Sequence, residues 1–248
     1  MRLRKVAFTN AKGGVAKTTT CVNIGAGLAL GGYRTLLVDC DTQGQVTKSL
    51  GIQAGEGLAE LLQGDAGLGD VQIEARENLF VISGGGALSG AKRMISRMDM
   101  RSELVLSEAL EDLEGYEFVL LDTAPSWDVL NVNCLFYVDE LLIPVSMEVL
   151  ALQGIGDFLG RVKEVQRYRE GLLIGGIIPT FYDGRVRKSA EILEQLKRYF
   201  PDALWPWVRY NSKVSEAPGF GQHIFEYAKR SNGAADYARL AERLAKGR

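Results

Sequence analysis

The stretch Lys12-Gly13-Gly14-Val15-Ala16-Lys17-Thr18-Thr19-Thr20 restricts this chain more than any other. It follows a short apolar run, Val6-Ala7-Phe8, and opens into Cys21-Val22-Asn23-Ile24-Gly25-Ala26-Gly27-Leu28-Ala29-Leu30. Strand, glycine-bearing loop and helix in that order are the context a phosphate-binding loop requires. A helix N-terminus presents unpaired backbone N–H groups and a partial positive charge, and both favour an anion. Gly13 and Gly14 let the backbone approach a phosphate, Lys17 reaches the outer phosphates, and the Thr18 hydroxyl suits a magnesium ion.

The usual spacing, G-x-x-x-x-G-K-[ST], is not met, because both required glycines fall on alanine, Ala11 and Ala16. A left-handed Ala16 would cost roughly 1–2 kcal/mol. The expectation is therefore that Ala16 keeps a negative φ, or that the stretch is no nucleotide loop at all. The competing reading is a Gly-Gly turn ahead of an ordinary helix.

Composition sets the outer bounds. The chain has 248 residues, 46% of them hydrophobic and 24% charged, which suits a single α/β domain over residues 1–248. There is no apolar run of about 18 residues, and the basic start Met1-Arg2-Leu3-Arg4-Lys5 leads into a strand rather than a signal peptide. Cys21, Cys40 and Cys134 are widely spaced and odd in number, as expected of reduced, buried thiols in a cytoplasmic protein. The net charge of −2 hides an asymmetry: from Phe181 onward there are 13 basic and 8 acidic residues, against 16 and 23 in the remainder. That basic third is a candidate polyanion face, with a merely solvated surface as the alternative.

Further along, Thr35-Leu36-Leu37-Val38 is apolar throughout, as a parallel strand buried on both faces must be. It ends in Asp39-Cys40-Asp41, on the sheet edge where α/β ligands bind. The two acids alternate by two, a spacing that lets both point to the same side. Residues 50–90 are broken by glycines into small helices and loops around one strand at Leu79-Phe80-Val81-Ile82, and 101–114 has helical periodicity. Phe118-Val119-Leu120-Leu121-Asp122 is a buried strand closed by an acid suited to magnesium-bound water near Thr18; a loop or helix-capping acid is the alternative. Two further strands, at 141–144 and 173–178, flank a helix over 150–168, and helices reaching Phe200 and covering 234–246 complete the chain. This alternation predicts a doubly wound, mainly parallel sheet flanked by helices.

These segments resemble the ParA family of the ParA/MinD deviant Walker A ATPases, a P-loop NTPase group. The matching pieces are K-G-G-V-A-K-T-T-T with Lys12, L-L-V-D-C-D-T-Q-G, F-V-L-L-D-T-A-P-S, T-F-Y-D-G-R and V-S-E-A-P-G-F-G. The resemblance implies ATP and Mg2+ as cofactors and an ATP-bound homodimer, with Lys12 crossing into the partner's site. It implies nucleotide binding by Gly13, Gly14, Val15, Ala16, Lys17, Thr18, Thr19, Asp39 and Thr180. It implies further that Lys12, Lys17 and Asp41 carry catalysis, Asp41 by orienting the attacking water, and that Thr18 and, through water, Asp122 hold the metal. It further implies binding to duplex DNA without sequence preference through Arg185, Lys213 and Arg230. The resemblance also implies a ParB-like protein that stimulates hydrolysis, and a place on the nucleoid in the cytoplasm. The family often has glycine at Ala16, and commonly arginine at Lys213; lysine keeps the charge without the bidentate fork.

Three other readings compete. A MinD-like membrane switch would need an amphipathic C-terminal helix with large apolar residues, but the end here offers Leu240 and Leu244 without Phe or Trp, as for a helix packed on its own domain, whereas an ATPase positioning a protein assembly would use the same core. An iron–sulfur protein of the nitrogenase-reductase type needs cysteine thiolates across a dimer, and only Cys134 is left unassigned. A metabolic enzyme would need a second substrate constellation; His223, the only histidine, takes no catalytic role.

Overall fold

The computed structural model describes residues 3–148 and 151–247. Met1 and Arg2 of the basic start, and Leu150 at the expected start of a helix, lie outside the described residues. The described residues form seven strands: β1 (Arg4–Phe8), β2 (Thr35–Cys40), β3 (Gln72–Arg76), β4 (Leu79–Ile82), β5 (Phe118–Thr123), β6 (Glu140–Ser146) and β7 (Leu173–Thr180). They make one sheet in the order β3-β4-β2-β5-β1-β6-β7, parallel except for β3 against β4. The doubly wound expectation holds.

Side chains alternate across each strand, so each strand feeds two cores. Ala7, Leu36, Val38, Val119 and Leu121 pack against helices Leu58–Gln63, Leu88–Ile95, Val129–Tyr137, Ala151–Gln166 and Arg187–Tyr199. Val6, Phe8, Leu37, Phe118 and Leu120 pack on the opposite face, under helices Lys17–Leu30 and Asn232–Lys246. Two residues beyond Leu37 and Leu120 stand Asp39 and Asp122, register partners that the same alternation sends to the face where helix Lys17–Leu30 begins. β1 lies between β5 and β6 while the chain leaves it for β2 on the far side of β5. Connections therefore diverge beyond the end of β1, a switch point where open α/β sheets bind ligands.

The C-terminal helix packs on its own domain, burying Tyr237, Leu240, Ala241 and Leu244. It approaches Lys17–Leu30 so closely that a methyl on Gly27 would stand 2.7 Å from the Ala241 Cβ. No helix of the described residues is long and apolar enough to cross a membrane.

Two local expectations are corrected. Residues 101–114 are not one helix: a 3₁₀ turn, Ser102–Leu104, leads into Val105–Ala109, after which the chain turns. Glu111, Asp112 and Glu114 follow, and acids are disfavoured at a helix C-terminus by its dipole. Strand β3, Gln-Ile-Glu-Ala-Arg, was not marked in the sequence; it is a partly exposed edge strand with one large apolar residue, Ile73.

Candidate active site

The loop leaving β1 is fastened from several sides. Asn10 is buried, donates through Nδ2 to the Pro144 carbonyl at 2.8 Å, and accepts the Lys12 N–H on Oδ1 at 3.0 Å. The Thr180 hydroxyl, at the end of β7, donates to the Val15 carbonyl at 3.2 Å. Between these ties Gly14 has φ +71, and Ala16 has φ 64 and ψ 35 at the N-cap of helix Lys17–Leu30. The expectation for Ala16 is thus corrected: it is left-handed, and the loop still has phosphate-loop form. The Ala16 carbonyl accepts the Thr20 N–H at 2.9 Å, starting the helix, and the surrounding fastenings hold a strain of roughly 1–2 kcal/mol.

The two lysines of the loop end in different places. Lys17 is buried and donates through Nζ to the Lys12 carbonyl at 3.0 Å. Burial pushes its ammonium pKa down, while the Asp122 and Asp41 carboxylates pull it back up. The Lys12 side chain instead lies at the rim, its ammonium paired with the Glu148 carboxylate just beyond β6.

Beneath Lys17 stand the two strand-end acids. Asp122 Oδ2 accepts the Thr18 hydroxyl at 2.6 Å, while its Oδ1 is buried without a hydrogen-bond partner. Burial foremost, then the Asp39 charge, pushes the Asp122 carboxyl well above the ordinary range. Asp39 accepts the Asp41 and Val46 N–H groups, each at 3.0 Å. Burial pushes its carboxyl up to about 6 against those two donors. Asp41 lies one residue past β2, and its charge still reaches Lys17, Asp39 and Asp122. Asp39 turns inward to brace the loop, whereas Asp41 is partly exposed and accepts the Gln43 N–H at 3.0 Å.

A buried carboxylate oxygen with no partner, beside a hydroxyl and an ammonium, fits a hydrated divalent cation. Among the described residues no group of three or more His, Cys, Asp or Glu converges into a cage. Magnesium matches that sparse donor set, because it keeps waters and takes one or two carboxylates together with substrate phosphates. The Thr18 hydroxyl and the Asp122 carboxylate supply the oxygens of that donor set.

Arg185 and Arg230 lie on turns, and Lys213 lies in the short helix Ser212–Glu216. The Arg185 guanidinium pairs with Asp183 at 2.7 and 2.9 Å and holds that carboxyl down at about 2. The Lys213 ammonium pairs with Glu216 at 2.8 Å, and Arg230 is exposed. Backbone bonds from Tyr182 to Val208 and from Tyr210 to Tyr182, at 3.0 and 2.9 Å, join the Arg185 loop to the segment carrying Lys213. Gly233, three residues past Arg230, packs against Val214, where an added Cβ would stand 2.4 Å from a methyl.

Two residues of the site escaped sequence reasoning. Asn10 left a signal, since an Asn accepting a backbone N–H two residues on forms an Asx turn. Glu148 left none, because its pairing with Lys12 joins positions 136 apart.

Residues 3–174 match a family model described as an AAA domain. The chromosome-partitioning ATPase Soj of Treponema pallidum is 38% identical over 246 residues, covering 97% of this chain and 96% of that protein. The sporulation initiation inhibitor protein Soj of Bacillus subtilis is 38% identical over 247 residues, 97% of each. The chain belongs to the Soj/ParA family of ATPases. Among solved structures, cobyrinic acid a,c-diamide synthase from Mycobacterium smegmatis with bound ATP analogue and magnesium superposes with a TM-score of 0.85. It is 31% identical and covers 99% of this chain and 95% of its own. In this Soj/ParA ATPase the loop, Asp39 and Asp122 thus share one end of the sheet, and the basic segments adjoin the end of β7.

Proposed function

We propose that this chain, working as one domain over residues 1–248, is a magnesium-dependent ATPase that dimerises when ATP is bound and grips duplex DNA without sequence preference. With a ParB-like partner it positions or segregates DNA, in the cytoplasm and on the nucleoid. The observation that carries this reading is the division between the two lysines of the loop. Lys17 sits within its own centre beside Thr18 and Asp122, whereas Lys12 ends at the rim on Glu148. A rim cation can exchange that carboxylate for the phosphates of a second subunit, so the full set of positive charges assembles only when two copies meet.

Phosphoryl transfer asks a protein mainly for positioning and charge stabilisation. Gly13, Gly14, Val15, Ala16 and Thr19 line the phosphates at the helix N-terminus, Thr180 holds the loop from β7, and Lys17 offsets phosphate charge from within. Magnesium, on Thr18 and through water on Asp122, neutralises the remaining phosphate charge when bound. Asp41, braced by Asp39, orients the water that attacks the terminal phosphoryl, giving ADP and phosphate. The Soj relatives support the partitioning half of the reading, and the Mycobacterium smegmatis structure supports ATP with magnesium.

Sedimentation with magnesium and ATP tests the division. Asp41→Ala is expected to accumulate as a dimer because it hydrolyses slowly, and Lys12→Ala to stay monomeric. A monomeric Asp41→Ala beside a normally dimerising Lys12→Ala would remove both assignments.

A further inference from the structure

Phe220 is 67% exposed on the 3₁₀ turn Ala217–Phe220, yet it is held in place. Its ring stacks on Tyr227 with centroids 5.1 Å apart and planes at 25°. Tyr227 is fixed in turn: its hydroxyl donates to Glu216 at 2.8 Å, and the Lys213 ammonium, bonded to the same carboxylate, lies 5.7 Å over its ring. Lys229 and Arg230, both exposed, follow two and three residues on. The turn is also clamped from below. Gly221 and Gly51, with φ +65 and +66, meet backbone to backbone, so that a Cβ on Gly221 would stand 2.7 Å from the Gly51 Cα. Arg76 donates to the carbonyls of Leu50 and Gly221 at 3.3 and 3.0 Å, bridging the same junction.

The result is an exposed ring stacked on a half-buried one, with Lys213 over the latter and the exposed Lys229 and Arg230 close by in the chain, while both acids of the turn are engaged, Glu216 by Lys213 and Tyr227, and Glu226 by Arg76. Duplex DNA fits this combination. Its phosphates match these cations, and aromatic rings of DNA-bending proteins press into the minor groove or between base steps. A ring already ordered by its own stack loses little freedom on binding. We propose that Phe220, backed by Tyr227, is a sequence-tolerant wedge against duplex DNA, adding a salt-insensitive component to the phosphate contacts of Lys213 and Arg230. The proposal rests on the DNA-binding reading above.

The test uses the full chain with magnesium and ATP, its dimer verified by sedimentation, titrated with a mixed-sequence duplex across a range of salt. Phe220→Ala should weaken retention about tenfold without changing the slope of log affinity against log salt. Phe220→Trp should restore retention, and its added indole fluorescence should change when duplex is bound. Lys213→Ala should instead reduce that slope by about one. If the unaltered protein retains duplex and Phe220→Ala retains it equally, the wedge is overturned while DNA binding stands. If the unaltered protein retains none, the DNA-binding reading fails, and the wedge with it. A changed salt slope in Phe220→Ala, or loss of its ATP-bound dimer, would assign the ring to a phosphate contact or a protein interface and overturn the wedge.

Discussion

Asp39 and Asp122 are fully buried beside Lys17, and one oxygen of Asp122 has no partner at all. Arg185, Arg187 and Lys213 stand in water instead, each paired with an acid two to four residues away in the chain. The same types of charge thus work under different dielectric conditions. In the centre each charge acts strongly because little water screens it. On the surface an ion pair contributes only about 0–1 kcal/mol, so Arg185 and Lys213 can leave Asp183 and Glu216 for a phosphate at small cost. The centre is organised for a few irreplaceable groups, the surface for several interchangeable ones.

Lys17→Ala is the hardest blow to that contrast. Removing one member of a buried charge set typically costs several kcal/mol, so affinity for ATP with magnesium should fall by more than about a hundredfold. Calorimetry reads this directly, and undiminished affinity would mean that the centre is no more sensitive than the surface.

Arg185→Ala should act far more gently, weakening retention of duplex DNA about two- to fivefold, as one contact among several that release counterions. The deficit should shrink as salt rises. Retention is compared with ATP, with ADP and with lipid vesicles as the competing surface. Equal retention with both nucleotides, or vesicle binding without DNA binding, would break the assignment of the basic segments.

The smallest expected effect concerns the backbone of the centre. Ala16→Gly removes the left-handed penalty but adds flexibility to the unfolded chain, leaving a net gain of about 1 kcal/mol or less. For a chain of this size that raises the melting temperature by up to roughly 2–4 °C. An unchanged or lower melting temperature would show that Ala16 is not strained.

What could be read in the sequence followed from how local the determinants are. Leu36-Leu37-Val38 and Phe118-Val119-Leu120-Leu121 announced buried parallel strands because both faces of each run are apolar, and the acids closing them were legible from position alone. β3 was illegible because an edge strand needs little apolar surface. The expectation of a negative φ at Ala16 failed because Asn10, Thr180 and Pro144, which hold the loop, meet it only once the sheet has formed. Glu148 was hidden for the same reason, and so was the inward turn of Asp39 onto the Val46 N–H.

Those fastenings bear on any attempt to graft the loop. Residues 10–18 moved alone into another parallel sheet would leave behind Pro144 of β6, Glu148 just past it, Thr180 of β7 and Asp122 of β5. A chimera carrying the sequence motif without these would have a loop with its lysines but with no anchor for either lysine's surroundings. The portable module is a row of neighbouring strand ends, β5, β1, β6 and β7, drawn from stretches of chain far apart.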